Sequence, residues 1–241
     1  MKIFATADVH GNQVIIDKLN QAAKSCDLIL VCGDIGYKIG CKEDKDYEKH
    51  KILLRPEKLP TADFLMEFST NQRKDAEYLS DLIKNLPIPA RFILGNDDWY
   101  EFSGAGYLEN PEAIGGFDFI PFEFVKMSPF NTNREVNENK LLYELAKLKV
   151  SDKSIIVAHT PPFSCGDKIY SGERIGSKSA YCWIEQRQPL VWICGHIHED
   201  NSIHEIGKTK VFNCACDHNN EDVLHGWMIN LDTLDYERFR L

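Results

Sequence analysis

The sequence predicts an α/β fold, and three observations carry that prediction. Short apolar runs of strand length alternate with amphipathic helical stretches along most of the chain. Five of those runs stop on Asp, Asn or His just where strand gives way to loop. The composition suits a packed core, because 43% of the 241 residues are apolar and 27% are charged, which leaves too much apolar material for a disordered chain.

The elements follow in order. Lys2–Ala7 reads as a strand, and Gln13–Lys24 places Ile15, Leu19 and Ala22 on one helical face. Leu28–Val31 is a buried-strand run. Gln72–Leu86 gathers Leu79, Leu82, Ile83 and Leu86 on one side, with Lys74, Asp75, Glu77 and Lys84 elsewhere, the pattern of an amphipathic helix. Arg91–Leu94 is the next strand. Glu135–Leu148 reads as helix, with Leu141, Leu145 and Leu148 in register. Ser154–Ala158 and Val191–Cys194 are buried strands on either side of a helix around Ser177–Gln186. Ser202–Ile206, Val211–Cys214 and Leu224–Leu231 read as β-structure joined by turns, and Asp235–Leu241 pairs with its predecessor. No repeat or linker interrupts the pattern, so residues 1–241 read as one domain. An insertion at about 37–71, rich in Lys and acidic residues and containing Pro56 and Pro60, breaks the rhythm.

Charge and leader signals bound the function. Lys+Arg 28 against Asp+Glu 37 gives −9, the wrong sign for a protein that coats nucleic acid or an anionic membrane. Asp8 and His10 arrive before any apolar leader can form, and no run has the length of a membrane span, so the expected location is cytoplasmic. The eight cysteines are scattered. Cys32 and Cys194 sit inside apolar runs, where a thiol packs as a small core residue. Cys214-Ala215-Cys216 has no second pair and is a poor zinc signal.

The chemistry lies at the five strand ends. They read Asp8-Val9-His10, Gly33-Asp34, Gly95-Asn96-Asp97-Asp98, His159, and Gly195-His196-Ile197-His198. Parallel strands deliver their C-terminal ends to one edge of a sheet, so loops far apart in sequence can meet there. Gly33, Gly95 and Gly195 permit sharp departure or close backbone approach. A lone His or Gly-Asp after a strand is ordinary; five such ends converging on nitrogen and oxygen donors point to a metal centre.

This motif series resembles that of the calcineurin-like metallophosphoesterase superfamily: Asp-x-His, Gly-Asp, Gly-Asn-His-Asp/Glu, a later His, then Gly-His-x-His. The resemblance runs from the first strand to about residue 198, and the β-rich stretch beyond is similar to the family's second sheet. It implies a four-layer α/β/β/α sandwich with two mixed central sheets and a dinuclear metal site at the strand C-terminal ends. By the same resemblance Asp8, His10, Asp34 and His198 would hold one ion. Asp34, Asn96, His159 and His196 would hold the other, with Asp34 bridging. The implied cofactors are two divalent ions, manganese first, with Fe, Zn, Ni and Mg as alternatives. Two such ions bring about +4, the carboxylates Asp8 and Asp34 return −2, and a bridging hydroxide leaves about +1, so the centre can attract a phosphate.

Position 97 departs from the pattern. The family often has a His there that protonates the leaving oxygen or stabilises the phosphate; this chain has Asp97. Either Asp97 points away and the enzyme favours good leaving groups, the preferred expectation, or Asp97 and Asp98 raise one another's pKa so that one of these carboxyls donates a proton. The Asn-Pro-Gly-type turn of many relatives is replaced by Asn213-Cys214-Ala215-Cys216, in which Asn213 could still shape the turn. Trp99 and Tyr100 could flank the cleft or serve the core. Ser164, Lys168 and Arg174 lie on the loop after His159 and could reach phosphate, although such residues are usually only solvated. His50 and His204 are expected at the surface, and His218 and His225 have no motif partner.

The expected function is metal-dependent hydrolysis of a small phosphorylated substrate, a phosphodiester before a monoester, by metal-activated water. A nuclease of the same superfamily is the alternative within enzymes, disfavoured by the charge. A metal-binding scaffold is the alternative outside them, disfavoured because all seven ligand positions carry ligand types. A protein phosphatase remains a further reading, with no feature outside the metal core to support it. No membrane partner is expected, and the sequence leaves the oligomeric state open.

Overall fold

Along each central strand the apolar side chains alternate between two faces, and that alternation builds the layers. The computed structural model describes residues 1–55, 60–216 and 222–241; Pro56 and His218 lie outside the described residues. In chain order the elements are β1 (Lys2–Thr6), α1 (Gln13–Asp17), α2 (Leu19–Ala22), β2 (Leu28–Cys32), α3 (Tyr47–His50), α4 (Ala62–Asn85), β3 (Ala90–Ile93), β4 (Glu112–Ile114), β5 (Phe117–Phe122), β6 (Val125–Lys126) and β7 (Glu135–Val136). They continue with α5 (Glu138–Ala146), β8 (Ser154–Ala158), α6 (Lys178–Arg187), β9 (Val191–Cys194), β10 (Ile203–Ile206), β11 (Thr209–Asn213), β12 (His225–Asn230) and β13 (Tyr236–Arg240).

Two large mixed sheets result, ordered β13-β12-β1-β2-β3 and β10-β11-β9-β8-β5-β4, with β6 and β7 forming a separate ribbon. In the first sheet β1, β2 and β3 run parallel; in the second β5, β8, β9 and β11 do. Ile3, Leu28, Leu30 and Cys32 of the first sheet meet Ile155, Val157, Val191 and Ile193 of the second in one buried layer. The residues between them in sequence turn outward. Phe4, Ile29 and Val31 pack on Ile15, Ile16, Leu19, Ala76 and Leu79 from the helices of the first side. Ile156 and Trp192 pack on Leu141, Leu145, Trp183 and Ile184 of α5 and α6. The molecule is therefore a four-layer α/β/β/α sandwich, as the motif resemblance implies.

Four helices begin on the residue type that physics favours. Asn12, Thr61, Asn137 and Ser177 each accept a hydrogen bond from the backbone N–H three residues on, replacing a partner the first turn lacks.

Several expectations are corrected. The single helix over Gln13–Lys24 is two short ones, broken at Lys18. The helix expected from Gln72 starts ten residues earlier, inside the 37–71 stretch; the Thr61 cap was a start signal, but Phe68 is the only buried side chain of α4 before Gln72. Glu135–Val136 belongs to the β6–β7 ribbon, and α5 begins behind the Asn137 cap. Between Tyr100 and Glu135 the periodicity assigns no element, yet β4 and β5 lie there, β5 carrying Pro121 within a strand that pairs with β8.

Most important for the site, the five motif-bearing strands do not share one sheet edge. β1, β2 and β3 are in one sheet and β8 and β9 in the other, and the C-terminal ends of both sets open on the same side of the sandwich.

Candidate metal centre

The loops leaving β1 and β2 continue to pair beyond the strands: Asp8 N–H donates to the Gly33 carbonyl at 3.0 Å, His10 N–H to that of Asp34 at 3.1 Å, and Gly11 N–H to that of Ile35 at 2.7 Å. This pairing holds an unusual backbone. Asp8, His10, Asp34 and His196 have φ of 60°, 44°, 54° and 73°, a left-handed conformation that costs a side-chain-bearing residue roughly 1–2 kcal/mol. Four of the seven residues named as ligands thus sit in strained backbone that swings each side chain off its strand axis.

Glycine makes room between the loops. A Cβ on Gly195 would fall 2.4 Å from both the Asp8 Oδ2 and the Ala7 Cβ. Only a residue without a side chain lets β9 deliver its His-x-His so close to the β1 loop.

The side chains converge. Three sets of ligand atoms lie mutually within 4.8 Å: Asp8, His10 and His198; Asp8, Asp34 and His159; and His10, Asp34 and Asp97. His198 Nε2 is 2.8 Å from Asp8 Oδ1, and His159 Nε2 is 3.3 Å from Asp34 Oδ2 and 3.1 Å from Asn96 Oδ1. The His196 ring packs edge-on against that of His159, centroids 5.2 Å apart, and the His196 backbone N–H donates to Asp8 Oδ2 at 2.9 Å. His196 joins none of the three sets through its ring, so its place in the arrangement is beside them.

The donor chemistry fits divalent ions. His159 Nδ1 is 2.7 Å from the Cys32 carbonyl, which can only accept, so Nδ1 carries the proton and Nε2 faces inward. The Asn96 amide is fixed in the same sense, its Nδ2 donating to Thr132 Oγ1 at 2.8 Å so that Oδ1 faces His159. Lone pairs of Nε2, Asn96 Oδ1 and Asp34 Oδ2 therefore converge, and only a cation or a proton satisfies all three. Burial disfavours a charged His159, yet Asp34 and Asp8 outweigh it and push the imidazole up to about 10. Burial alone would likewise raise the Asp8 and Asp34 carboxyls, but His198 beside Asp8 and His159 beside Asp34 hold both well below the usual carboxylate range. The cavity is built for negative oxygen around positive charge.

Asp97 does not point away. Its carboxylate belongs to the set with His10 and Asp34, while its N–H donates to Asp34 Oδ1 at 2.9 Å. Burial and then the Asp34 charge push the Asp97 carboxyl up to about 7. Asp98 makes a different set of contacts, and burial and then the Asp34 charge push its carboxyl up to about 6. It is fully buried and accepts from the N–H groups of Ile35 at 2.9 Å, Gly36 at 2.7 Å and Gly95 at 2.7 Å, and from the Tyr100 hydroxyl at 3.0 Å. A carboxylate so occupied pins the β2 and β3 loops together.

Residues that carried no sequence signal complete the frame. The Gln72 amide, buried on α4, donates to the carbonyls of Tyr37 at 2.8 Å and Asp97 at 2.7 Å and accepts from Trp99 N–H at 3.0 Å. Arg134 donates to the carbonyls of Asp98 and Tyr100, and Glu123 takes both the Arg134 Nε–H and the Leu94 N–H. These contacts join segments tens of residues apart, which no local pattern encodes.

The remaining candidates sort as follows. Asn213 is fully buried; its Nδ2 donates to the carbonyls of Gly166 at 2.7 Å and Ile197 at 2.8 Å, and its Oδ1 accepts from Ala215 at 2.9 Å. It does shape the turn, and it ties the His159 and His198 loops together. Asn213→Ala is expected to cost about 2–4 kcal/mol by stranding two buried carbonyls, read as a lower denaturant midpoint at unchanged slope. Arg174 is paired with buried Asp167 at 2.8 Å, and Ser164 N–H donates to the same carboxylate at 2.9 Å. Lys168 joins Arg174 in an isolated antiparallel bridge. Tyr100 is a core aromatic, whereas Trp99 is half-buried. His50 is a correction: it is buried, its Nδ1 2.6 Å from Asp44 Oδ1, a pairing that makes burial of an imidazole tolerable. His204 is half-buried beside Ser202. All eight cysteines are free thiols; Cys214 and Cys216 pack into different core layers, so they are not joint ligands.

Residues 1–200 match the family model described as calcineurin-like phosphoesterase. A UPF0046 protein of Caenorhabditis elegans is 29% identical over 131 residues, covering 53% of this chain and 44% of that one. The chain thus spans less than half of that relative. An uncharacterized protein of Methanocaldococcus jannaschii is 25% identical over 224 residues, covering 88% of this chain and 87% of its own. One solved structure superposes with a TM-score of 0.74 at 18% identity, covering 99% of this chain and 98% of that chain. TT1561 of Thermus thermophilus follows at 0.58 and 14% identity, covering 99% and 97%. At these identities the likeness is one of fold.

Proposed function

The chain belongs to the calcineurin-like phosphoesterase family, and from that premise and its own donor set we propose that it hydrolyses small phosphodiesters with the aid of two divalent ions, manganese first. The observation that carries this reading is the overlap of the three ligand sets, in which Asp8, His10 and Asp34 each appear twice and so join the His198, His159 and Asp97 sides into one cluster. Two ions held there would supply Lewis acidity to the phosphoryl oxygens and lower the pKa of an attacking water.

The residues do the rest. Asp8, His10 and His198 face one end of the cluster, and Asn96 and His159 face the other, so a phosphoryl group is drawn to the strand ends between the sheets. The Asp97 carboxylate stands where relatives often carry an imidazole. A dianionic monoester meets more repulsion from it than a monoanionic diester does. The overall −9 supports a small substrate over a polymer, which requires a basic track. Eight free thiols support work in a reducing, cytoplasmic compartment. No helix among the described residues is long and apolar enough to cross a membrane.

The test is a metal-reconstituted panel. Mn, Ni, Fe, Zn or Mg is crossed with an aryl phosphodiester, an aryl phosphomonoester, cyclic nucleotides and single-stranded DNA. Turnover of the diester is expected to exceed that of the monoester by at least about tenfold, a difference of ~1.4 kcal/mol in barrier. Silence across the panel with metal demonstrably bound would overturn the reading in favour of a scaffold, and preference for DNA would favour the nuclease.

A further inference from the structure

We propose that Asp97 is itself a metal ligand, a third carboxylate in the centre, on the half that also holds His10 and Asp34. This rests on the metal-dependent reading above and concerns a residue at which this chain departs from its family's motif. Ligand atoms of His10, Asp34 and Asp97 lie mutually within 4.8 Å, as do those of the two sets drawn only from motif residues. A carboxylate oxygen from each Asp and a ring nitrogen from His10 make a set of hard and borderline donors suited to Mn, Fe or Zn.

The backbone is built to present this side chain. The Asp97 carbonyl is held at 2.7 Å by the Gln72 amide, which also holds the Tyr37 carbonyl at 2.8 Å, so the β2 and β3 loops are clamped to one buried group of α4. From the other side the Asp97 N–H donates to Asp34 Oδ1 at 2.9 Å. With carbonyl and N–H both engaged, the backbone of residue 97 is fixed at the place from which its carboxylate meets His10 and Asp34. Two carboxylates, Asp34 and Asp97, then face one another beside His10, an arrangement that repels itself until a cation lies between them.

The consequence is electrostatic. Three carboxylates and a bridging hydroxide would return −4 against about +4 from two ions, so the centre would be about neutral where two carboxylates leave about +1. A centre of lower charge holds a dianionic phosphate less firmly, and the loss for a monoanionic diester is smaller. Asp97 thereby sets substrate class by tempering the metal charge.

The experiment is calorimetric titration of the full-length, metal-stripped protein with Mn(II), wild type against Asp97→Asn, with thermal midpoints recorded with and without Mn(II). The wild type should bind two ions. Asp97→Asn should weaken one of them by at least the roughly 10–100-fold that loss of an outer partner costs, leave the other within about twofold, and shrink the midpoint gain on adding Mn(II). The metal-free variant should melt no lower than the metal-free wild type, because a repulsion has been removed. Affinity of the loaded variant for inorganic phosphate should rise. Unchanged affinity at both sites would overturn the proposal while leaving the metal-dependent reading intact; a wild type that binds no Mn(II) would overturn both. If Asp97→Asn fails to fold, Asp97→Ser, smaller and uncharged, is titrated against the same two outcomes.

Discussion

Asp34→Asn is expected to lower turnover of an aryl phosphodiester by roughly a thousandfold or more, about 4 kcal/mol in barrier. Asp34 is the carboxylate that the motif resemblance assigns to both ions, and it belongs both to the set with Asp8 and His159 and to the set with His10 and Asp97. An amide keeps the shape and can still accept the Asp97 N–H, now at 2.9 Å, so the fold is expected to survive. The negative charge is lost, and with it the group that holds His159 cationic in the metal-free chain. The measurement is kcat/KM at saturating Mn(II), paired with metal per chain by elemental analysis and a circular dichroism spectrum. Full activity in a variant of native spectrum would sink the bridging-carboxylate model.

Gly95→Ala should damage stability and site together. A Cβ at this position would lie 2.1 Å from Asp34 Oδ1 and 2.5 Å from Asp34 N, and backbone atoms cannot rotate aside as a flexible side chain does. The backbone at 95 is not left-handed, so the requirement is space, not conformation. The β3 loop has no retreat, since the Gly95 N–H is bound by Asp98 at 2.7 Å. Forced overpacking costs about 1–3 kcal/mol or more, and a chain of this size loses roughly 2–4 °C per kcal/mol. A fall in Tm of several degrees is expected, together with loss of Mn(II) binding. Gly116→Ala is the control. That residue has φ of +86°, but nothing lies within 4 Å of its Cβ position, so it should show conformational strain and normal metal binding. Equal behaviour of the two variants would refute the steric account.

Much of the fold was legible where burial repeats with a fixed period. Ile3, Phe4 and Ala5, or Ile155, Ile156 and Val157, are apolar on both faces because each strand lies between a helix layer and the partner sheet. The run Phe117–Phe122 was harder to read, since Asp118 is exposed and Pro121 interrupts it, although it pairs with β8 over five residues. The first third of α4 was obscured because its apolar residues are mostly exposed or half-buried, with Phe68 alone buried among them. His50 misleads for a related reason: nothing local announces that Asp44 will be buried with it.

The sequence by itself determined the alternation that makes an α/β sandwich and the identity of the residues at five strand ends, because strand period and strand termini are local properties. Tertiary structure alone decided where those ends meet. They belong to two sheets, not one, and their side chains converge because Asp8, His10, Asp34 and His196 adopt left-handed backbone held by bonds between loops. It also separated two adjacent carboxylates that the sequence treats alike. Asp98 is turned inward to three backbone amides and a phenol, and Asp97 is turned to His10 and Asp34. The division follows from the distance over which each cause acts: periodicity is set by neighbours along the chain, whereas the direction of a side chain at a loop is set by Gln72, Thr132 and Arg134, residues that only folding brings near.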